Sequence, residues 1–88
     1  MVETVDITNA IREYIKNRFG VPDTDADFTD DTHLFNYGYV DSFGSVELTA
    51  FVEQYCSITI SHSDLVAFPL NSIREIANFA AKRKSGEL

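Results

Sequence analysis

The two residues best suited to chemistry are Asp41 and Ser42, which lie within the segment 38–48, GYVDSFGSVEL. A serine hydroxyl can accept a transferred group, and an aspartate just before a helix can accept hydrogen bonds from its first free N–H groups. Alone, the pair indicates only a helix start, because both residues are common there. The surrounding sequence favours a functional role more strongly than the pair alone does. An acidic loop precedes the pair, and residues 46–48, Val-Glu-Leu, follow it at the spacing of a helix face.

A hydrolase is one interpretation of Ser42, with His33 or His62 as the base and an aspartate as the orienting group. It is disfavoured, because no strand–turn–helix elbow surrounds Ser42 and 88 residues leave little room for a pocket that excludes water. One cysteine, Cys56, and two histidines cannot build a disulfide framework or a Cys/His zinc site. We therefore expect no enzyme activity, no catalytic residue and no metal site.

Helices are expected to position Asp41 and Ser42. A first amphipathic helix is predicted from apolar residues at a three-to-four spacing, and Gly20 to Pro22 end it. The segment 23–39 loses this pattern and predicts a long loop, a feature that is often functional in a compact domain. The first helix is expected to bury one face, and the loop is expected to be held on the core by Leu34, Phe35, Tyr37 and Val40. The predicted buried face of the helix consists of Ile7, Ile11, Tyr14 and Ile15, followed by Arg18 or Phe19.

A second helix is predicted from about Asp41 to about Tyr55, with Cys56 packed at its end as a small apolar residue. Its apolar residues form two stripes. Either the second stripe is an exposed docking surface, or both stripes are buried, as in a central helix of a bundle. The expected core stripe contains Leu48, Phe51, Val52 and Tyr55, and the second stripe contains Phe43, Val46 and Ala50.

The rest of the chain predicts an extended linker with Ile58 and Ile60, a short helix over 61–68, and a last helix. Residues 72–75 have the form of a capping box that opens this last helix. The fold class is therefore all-α: a small four-helix bundle of three longer helices and a short one, with a long loop between the first two. A single domain over residues 1–88 is expected, with about 82–88 a frayed tail. The predicted inward face of the last helix consists of Ile73, Ile76, Ala77 and Ala80.

Charge is distributed unevenly along the chain, whose net charge is −7. No Lys or Arg lies between Arg18 and Arg74, whereas nine acids do. An acidic surface repels nucleic acid and anionic lipid and attracts basic protein surfaces. Neither a signal peptide nor a spanning segment is indicated. We expect a cytoplasmic monomer that binds no nucleic acid and inserts into no membrane.

The chain resembles the acyl carrier protein family, including the peptidyl carrier domains. The family's Asp-Ser-Leu attachment signature maps onto residues 41–43, Asp-Ser-Phe, and the Val-Glu-Leu continuation, the Ile-x-Ile linker and the Pro-x-x-Ser-Ile lead at 69–73 are also similar. The motif is most similar to the D-alanyl carriers and to stand-alone aminoacyl or polyketide carriers. Gly44 and the Gln54-Tyr55 pair depart from fatty-acid carriers, which place acids there, so bulk fatty-acid synthesis is not favoured.

The resemblance implies a non-catalytic phosphoprotein that carries acyl or aminoacyl groups in biosynthesis as thioesters on 4′-phosphopantetheine. A phosphopantetheinyl transferase would attach this arm from coenzyme A to Ser42, with Asp41 orienting the transferase or its metal, or only capping the helix. A loading ligase and a downstream transferase or synthase are the other implied partners. The alternative is an unmodified acidic helical module for protein–protein interaction. In either case the expected docking residues are Phe43, Val46, Glu47, Ala50 and Glu53.

Overall fold

The computed structural model describes residues 3–88 and contains four helices. They are α1 (Thr4–Phe19), α2 (Ser42–Cys56), α3 (His62–Ala67) and α4 (Ile73–Ser85), and no β-strand occurs among the described residues. The predicted all-α class, with three longer helices, one short helix and a long first connection, is confirmed. Helices α1, α2 and α4 enclose the core, and α3 lies outside it with no buried residue.

Helix α1 supplies one face of the core, as its spacing predicted. Ile7, Ile11 and Ile15 are fully or almost fully buried, and Tyr14 packs partly buried beside them. The helix ends at Gly20, whose φ of 71° lies in the left-handed region and whose N–H donates to the carbonyl of Lys16. Glycine adopts this conformation without the steric cost that a side chain would add, so Gly20 fixes where the long connection begins.

The connection from Gly20 to Asp41 is long but anchored. Leu34 and Val40 are buried, the N–H of Leu34 donates to the carbonyl of Asn71 at 2.8 Å, and Phe35 packs against the core. The prediction for Tyr37 was wrong, because its side chain is 66% exposed. Residues 34 to 40 form tight turns, in which the N–H groups of 39 and 40 both donate to the carbonyl of residue 34 and direct the ring of residue 37 to solvent.

Helix α2 buries a narrower stripe than predicted. Leu48, Val52 and Cys56 are buried, but Phe51 is half-buried and Tyr55 is 42% exposed. The buried face of α2 thus includes Cys56 where the prediction had Tyr55. Phe51 and Tyr55 instead lie along the α1–α2 seam, where the ring of Phe51 stacks on that of Tyr14 with centroids 4.3 Å apart.

The extended linker and the short third helix are confirmed, and Ser61 caps α3 through a capping box with Asp64. At α4 only half of the predicted box forms. Ser72 accepts the N–H of Glu75, but the Glu75 carboxylate accepts the N–H of Asn71 rather than that of Ser72. The predicted inward face of α4 is buried, and Phe79 joins it by stacking on Phe68 after α3.

The last turn of α4 lies in the stretch from about residue 82 that was predicted as a frayed tail. The helix runs to Ser85, because its cations find partners elsewhere in the fold. Arg83 pairs with Asp64 at 2.8 Å and donates to the carbonyl of Thr59, and Lys84 donates to the carbonyl of Cys56. These contacts connect α4 to the end of α2, to the linker and to α3.

Folding also pairs the charges that the sequence separates. Five of the nine acids of the central stretch form ion pairs with cations from the two ends of the chain. The uniformly acidic surface expected from the sequence is therefore reduced to the remaining carboxylates. The pairs are Asp23 with Lys16, Asp30 with Arg12, Asp31 with Arg74, Glu47 with Arg18, and Asp64 with Arg83.

Candidate functional site

Ser42 is the first residue of α2, and its side chain is exposed. The backbone carbonyl oxygen of Ser42 accepts a hydrogen bond from the Ser45 hydroxyl at 2.7 Å. The Ser42 hydroxyl is thus open to solvent on the outer edge of the helix start. The first amide groups of a helix lie ahead of its hydrogen-bonded ladder, and they favour an anion bound beside them.

Asp41 caps α2 as predicted. Its backbone is extended, with φ −95° and ψ −176°, and its Oδ1 accepts the N–H of Gly44 at 2.7 Å. Its carbonyl oxygen accepts the N–H of Ser45 at 2.8 Å, the first hydrogen bond of the helix ladder. The cap uses one carboxylate oxygen, so Oδ2 can meet a partner from outside.

Gly44 has a packing reason that the sequence did not reveal. It is buried, and a Cβ built there would lie 2.7 Å from Cε1 of the Phe19 ring and 3.2 Å from Oδ1 of Asp41. A side chain at position 44 would displace both the Phe19 ring and the Asp41 carboxylate that caps α2. The end of α1 thus packs directly against position 44, which gives a structural reason for the glycine there.

A shallow cleft of about 250 Å³ lies where the end of α1 meets the start of α2. Arg18 crosses this region, donating from Nη2 and Nε to both oxygens of Glu47 at 2.8 to 3.1 Å. Its guanidinium also lies 5.6 Å from the centroid of the Phe19 ring. Sequence reasoning did not place Arg18 here, because 29 positions separate it from Glu47 and no local pattern joins them. The cleft is lined by Arg18, Phe19, Gly38, Tyr39, Asp41, Phe43, Gly44 and Glu47.

The structure places the predicted docking residues in two different situations. Phe43 and Val46 are 73% and 69% exposed, and Ala50 is exposed one turn further along. The second stripe of α2 is therefore exposed, which contradicts the interpretation that both stripes are buried in the bundle. Glu47 is engaged by Arg18, and Glu53 accepts the N–H of Ile60 at 2.8 Å, holding the linker.

A larger cavity of about 350 Å³ opens between α2 and α3, one helix face away from the exposed stripe. Its wall combines apolar side chains with the hydroxyls of Ser45 and Thr49. Helix α3, which contributes no buried residue, forms part of the wall of this cavity. The cavity is lined by Phe35, Ser45, Leu48, Thr49, Val52, Ile60, Leu65, Phe68, Pro69, Leu70, Asn71 and Ile76.

Other reactive side chains are engaged or lie in other parts of the fold. Nδ1 of His33 accepts the N–H of Asn36 at 3.0 Å, and His62 begins α3. Cys56 is fully buried as predicted, and that burial raises the pKa of its thiol. Within residues 3–88, no three His, Cys, Asp or Glu side chains gather to hold a metal ion. None of the described helices is long and apolar enough to cross a membrane.

Comparison with protein families gives one match. A family model described as a phosphopantetheine attachment site matches residues 9–80. The match begins in the second turn of α1, contains the whole of α2 and α3 and ends in α4, so it covers most of the chain. No curated protein matches the chain.

Proposed function

The chain belongs to the phosphopantetheine attachment family, whose members are carrier domains bearing 4′-phosphopantetheine, and we propose that Ser42 is its attachment residue. The observation that carries this proposal is the position of Ser42 inside the matched segment, exposed on the first turn of α2. In the prosthetic group, a flexible arm ends in a thiol that holds an acyl or aminoacyl cargo as a thioester. The chain's own residues supply the attachment point and the surfaces that partners contact.

The residues around Ser42 fit such a group. A phosphodiester on the first turn of α2 is anionic, and the free N–H groups and the positive end of the helix dipole favour it by ~0.3 to 1 kcal/mol at an exposed position. The exposed side chain of Ser42 leaves room for an arm to extend into solvent. The Asp41 carboxylate turns towards the helix through Oδ1, which limits its repulsion of the phosphate.

Attachment requires no activation by this chain. The Ser42 oxygen forms a bond to the phosphorus that bears the pantetheine portion of coenzyme A, the bond from that phosphorus to the nucleotide portion breaks, and the hydroxyl proton passes to a base of the transferase. Asp41 positions Ser42 by capping the helix and offers Oδ2 to the transferase or to its Mg²⁺. Its roles as a cap and as a transferase contact are compatible, because they use different oxygens.

The partners of the loaded chain are a loading ligase and a downstream transferase or synthase, and the chain acts with them as a cytoplasmic, monomeric, non-catalytic shuttle. Phe43, Val46 and Ala50 present an apolar strip beside the arm, suited to weak and rapidly reversible docking. We propose an aminoacyl or specialised acyl cargo, on the similarity of the Asp-Ser-Phe-Gly-Ser-Val-Glu-Leu string to D-alanyl and stand-alone carriers.

Intact-mass spectrometry tests the attachment. The chain is incubated with coenzyme A, Mg²⁺ and a broad-specificity phosphopantetheinyl transferase, and we expect one added phosphopantetheine. Ser42→Ala should remain unmodified, whereas Ser45→Ala, a matched change one turn further along α2, should still be modified. No mass change in the unsubstituted chain would refute the proposal and favour the unmodified interaction module, and modification of Ser42→Ala would place the arm elsewhere.

A further inference from the structure

Two glutamates neighbour the exposed strip of α2 formed by Phe43, Val46 and Ala50, and an ion pair compensates the charge of Glu47 but not that of Glu53 among the described residues. Glu47 is held by Arg18 in a bidentate pair at 2.8 and 2.9 Å, and one carboxylate oxygen of Glu53 accepts the N–H of Ile60. The strip itself remains apolar and open, with Phe43 and Val46 about 70% exposed. At Glu47 an internal cation thus balances the negative charge that the sequence displays.

We propose that Arg18 occupies the position on Glu47 that a partner's arginine or lysine would otherwise take, so that this strip fits partner enzymes whose carrier-binding groove is apolar, without a cation, where it meets Glu47. The inference rests on the proposed function, because it concerns the partners that reach Ser42. On this inference, a partner binds the strip by burying apolar area and gains no charge attraction from Glu47.

Three features favour Arg18 over an incoming cation as the partner of Glu47. The guanidinium of Arg18 donates to both carboxylate oxygens of Glu47, it lies near the Phe19 ring, and the backbone of Arg18 is held in the last turn of α1. An internal partner also acts at an effective concentration in the millimolar range, well above that of a protein encountered in solution. A partner cation must therefore displace Arg18 before it gains anything from Glu47.

The test uses loading of Ser42 by a transferase chosen because arginine or lysine edges its carrier-binding groove. Loading rates at subsaturating carrier are measured by intact mass at about 20 mM and about 500 mM NaCl, where screening differs strongly. Arg18→Gln uncovers the Glu47 carboxylate and should load about threefold faster than the unsubstituted chain at low salt, with the difference lost at high salt. Glu47→Gln leaves Arg18 uncovered and should load more slowly at low salt.

The double variant Arg18→Gln with Glu47→Gln is the matched control, because it removes both charges, and it should load at the rate of the unsubstituted chain at both salt concentrations. Circular dichroism melts of all four proteins report whether they remain folded. Equal or slower loading of folded Arg18→Gln at low salt would overturn the inference. Loading of every variant at high salt would still support Ser42 as the attachment residue, whereas no loading of any of them would refute the proposed function itself.

Discussion

Substitutions at Asp41 separate two roles of one carboxylate. Oδ1 accepts the N–H of Gly44 at 2.7 Å and caps α2, and Oδ2 is offered to the transferase in the proposed function. Asp41→Asn keeps a carbonyl oxygen for the cap but replaces the second oxygen with an NH₂ group, which donates hydrogen bonds and binds no metal ion. Asp41→Ala removes both oxygens.

The cap sets the size of the expected stability change. Replacing an aspartate cap by alanine costs about 1 kcal/mol, whereas asparagine caps as well as aspartate does. In a domain of 88 residues, that cost lowers the melting temperature by roughly 4 to 8 °C. Asp41→Ala should therefore melt about 4 to 8 °C below the unsubstituted chain, and Asp41→Asn should melt close to it.

At a temperature well below both transitions, the loading rate of Asp41→Asn then reports on Oδ2, because this variant keeps the cap. We expect both variants to accept phosphopantetheine more slowly than the unsubstituted chain, and Asp41→Ala to be at least as slow as Asp41→Asn, because it also loses the cap that positions Ser42. Thermal melts followed by circular dichroism and loading followed by intact mass provide the two measurements. An unchanged melting temperature in Asp41→Ala would refute the capping argument, and normal loading of Asp41→Asn would show that Asp41 acts only as a cap.

Two further predictions concern stability. Val52→Ala and Val46→Ala make the same change on the buried and the exposed face of α2, because Val52 is 1% exposed and Val46 is 69% exposed. In urea unfolding, the free energy of unfolding should fall by about 2 kcal/mol in Val52→Ala and by less than about 0.5 kcal/mol in Val46→Ala. Equal losses would mean that the faces are wrongly assigned. The hydrogen bonds from Arg83 lower the pKa of Asp64 from 3.8 to about 2, so its contribution to stability is complete above pH 3.8 and is lost as the pH falls through about 2. The urea midpoint should fall less steeply over that interval in Asp64→Asn than in the unsubstituted chain, and identical slopes would contradict the Asp64–Arg83 pairing.

Local signals in the sequence were sufficient for the helices and for the start of α2. The three-to-four spacing of Ile7, Ile11 and Ile15 follows directly from helix geometry, and the cap by Asp41 depends on residues three positions apart. The exposed face of α2 was one of two predicted possibilities, since periodicity defines stripes but does not tell which of them another helix covers. That choice required the packing of α1 and α4.

Long-range pairing was beyond what the sequence could show. Arg18 meets Glu47 across 29 positions, and Arg83 meets Asp64 across 19, so the charge of each surface depends on how the helices pack. The same limit explains the tail, because Lys84 and Arg83 look solvated until the linker and α3 are placed beside them. Gly44 followed this rule too, since only the position of the Phe19 ring shows why a side chain is absent there.

The burial of Cys56 makes thiol chemistry a direct readout of this chain. It is the only cysteine, it is fully enclosed by the core, and that burial raises the pKa of its thiol, which disfavours the reactive thiolate. A thiol reagent added to the folded protein would therefore label the end of an attached arm and leave the polypeptide untouched. The same enclosure keeps the polypeptide's only thiol away from an activated cargo, so the cargo cannot pass by thiol exchange from the arm onto the protein that carries it.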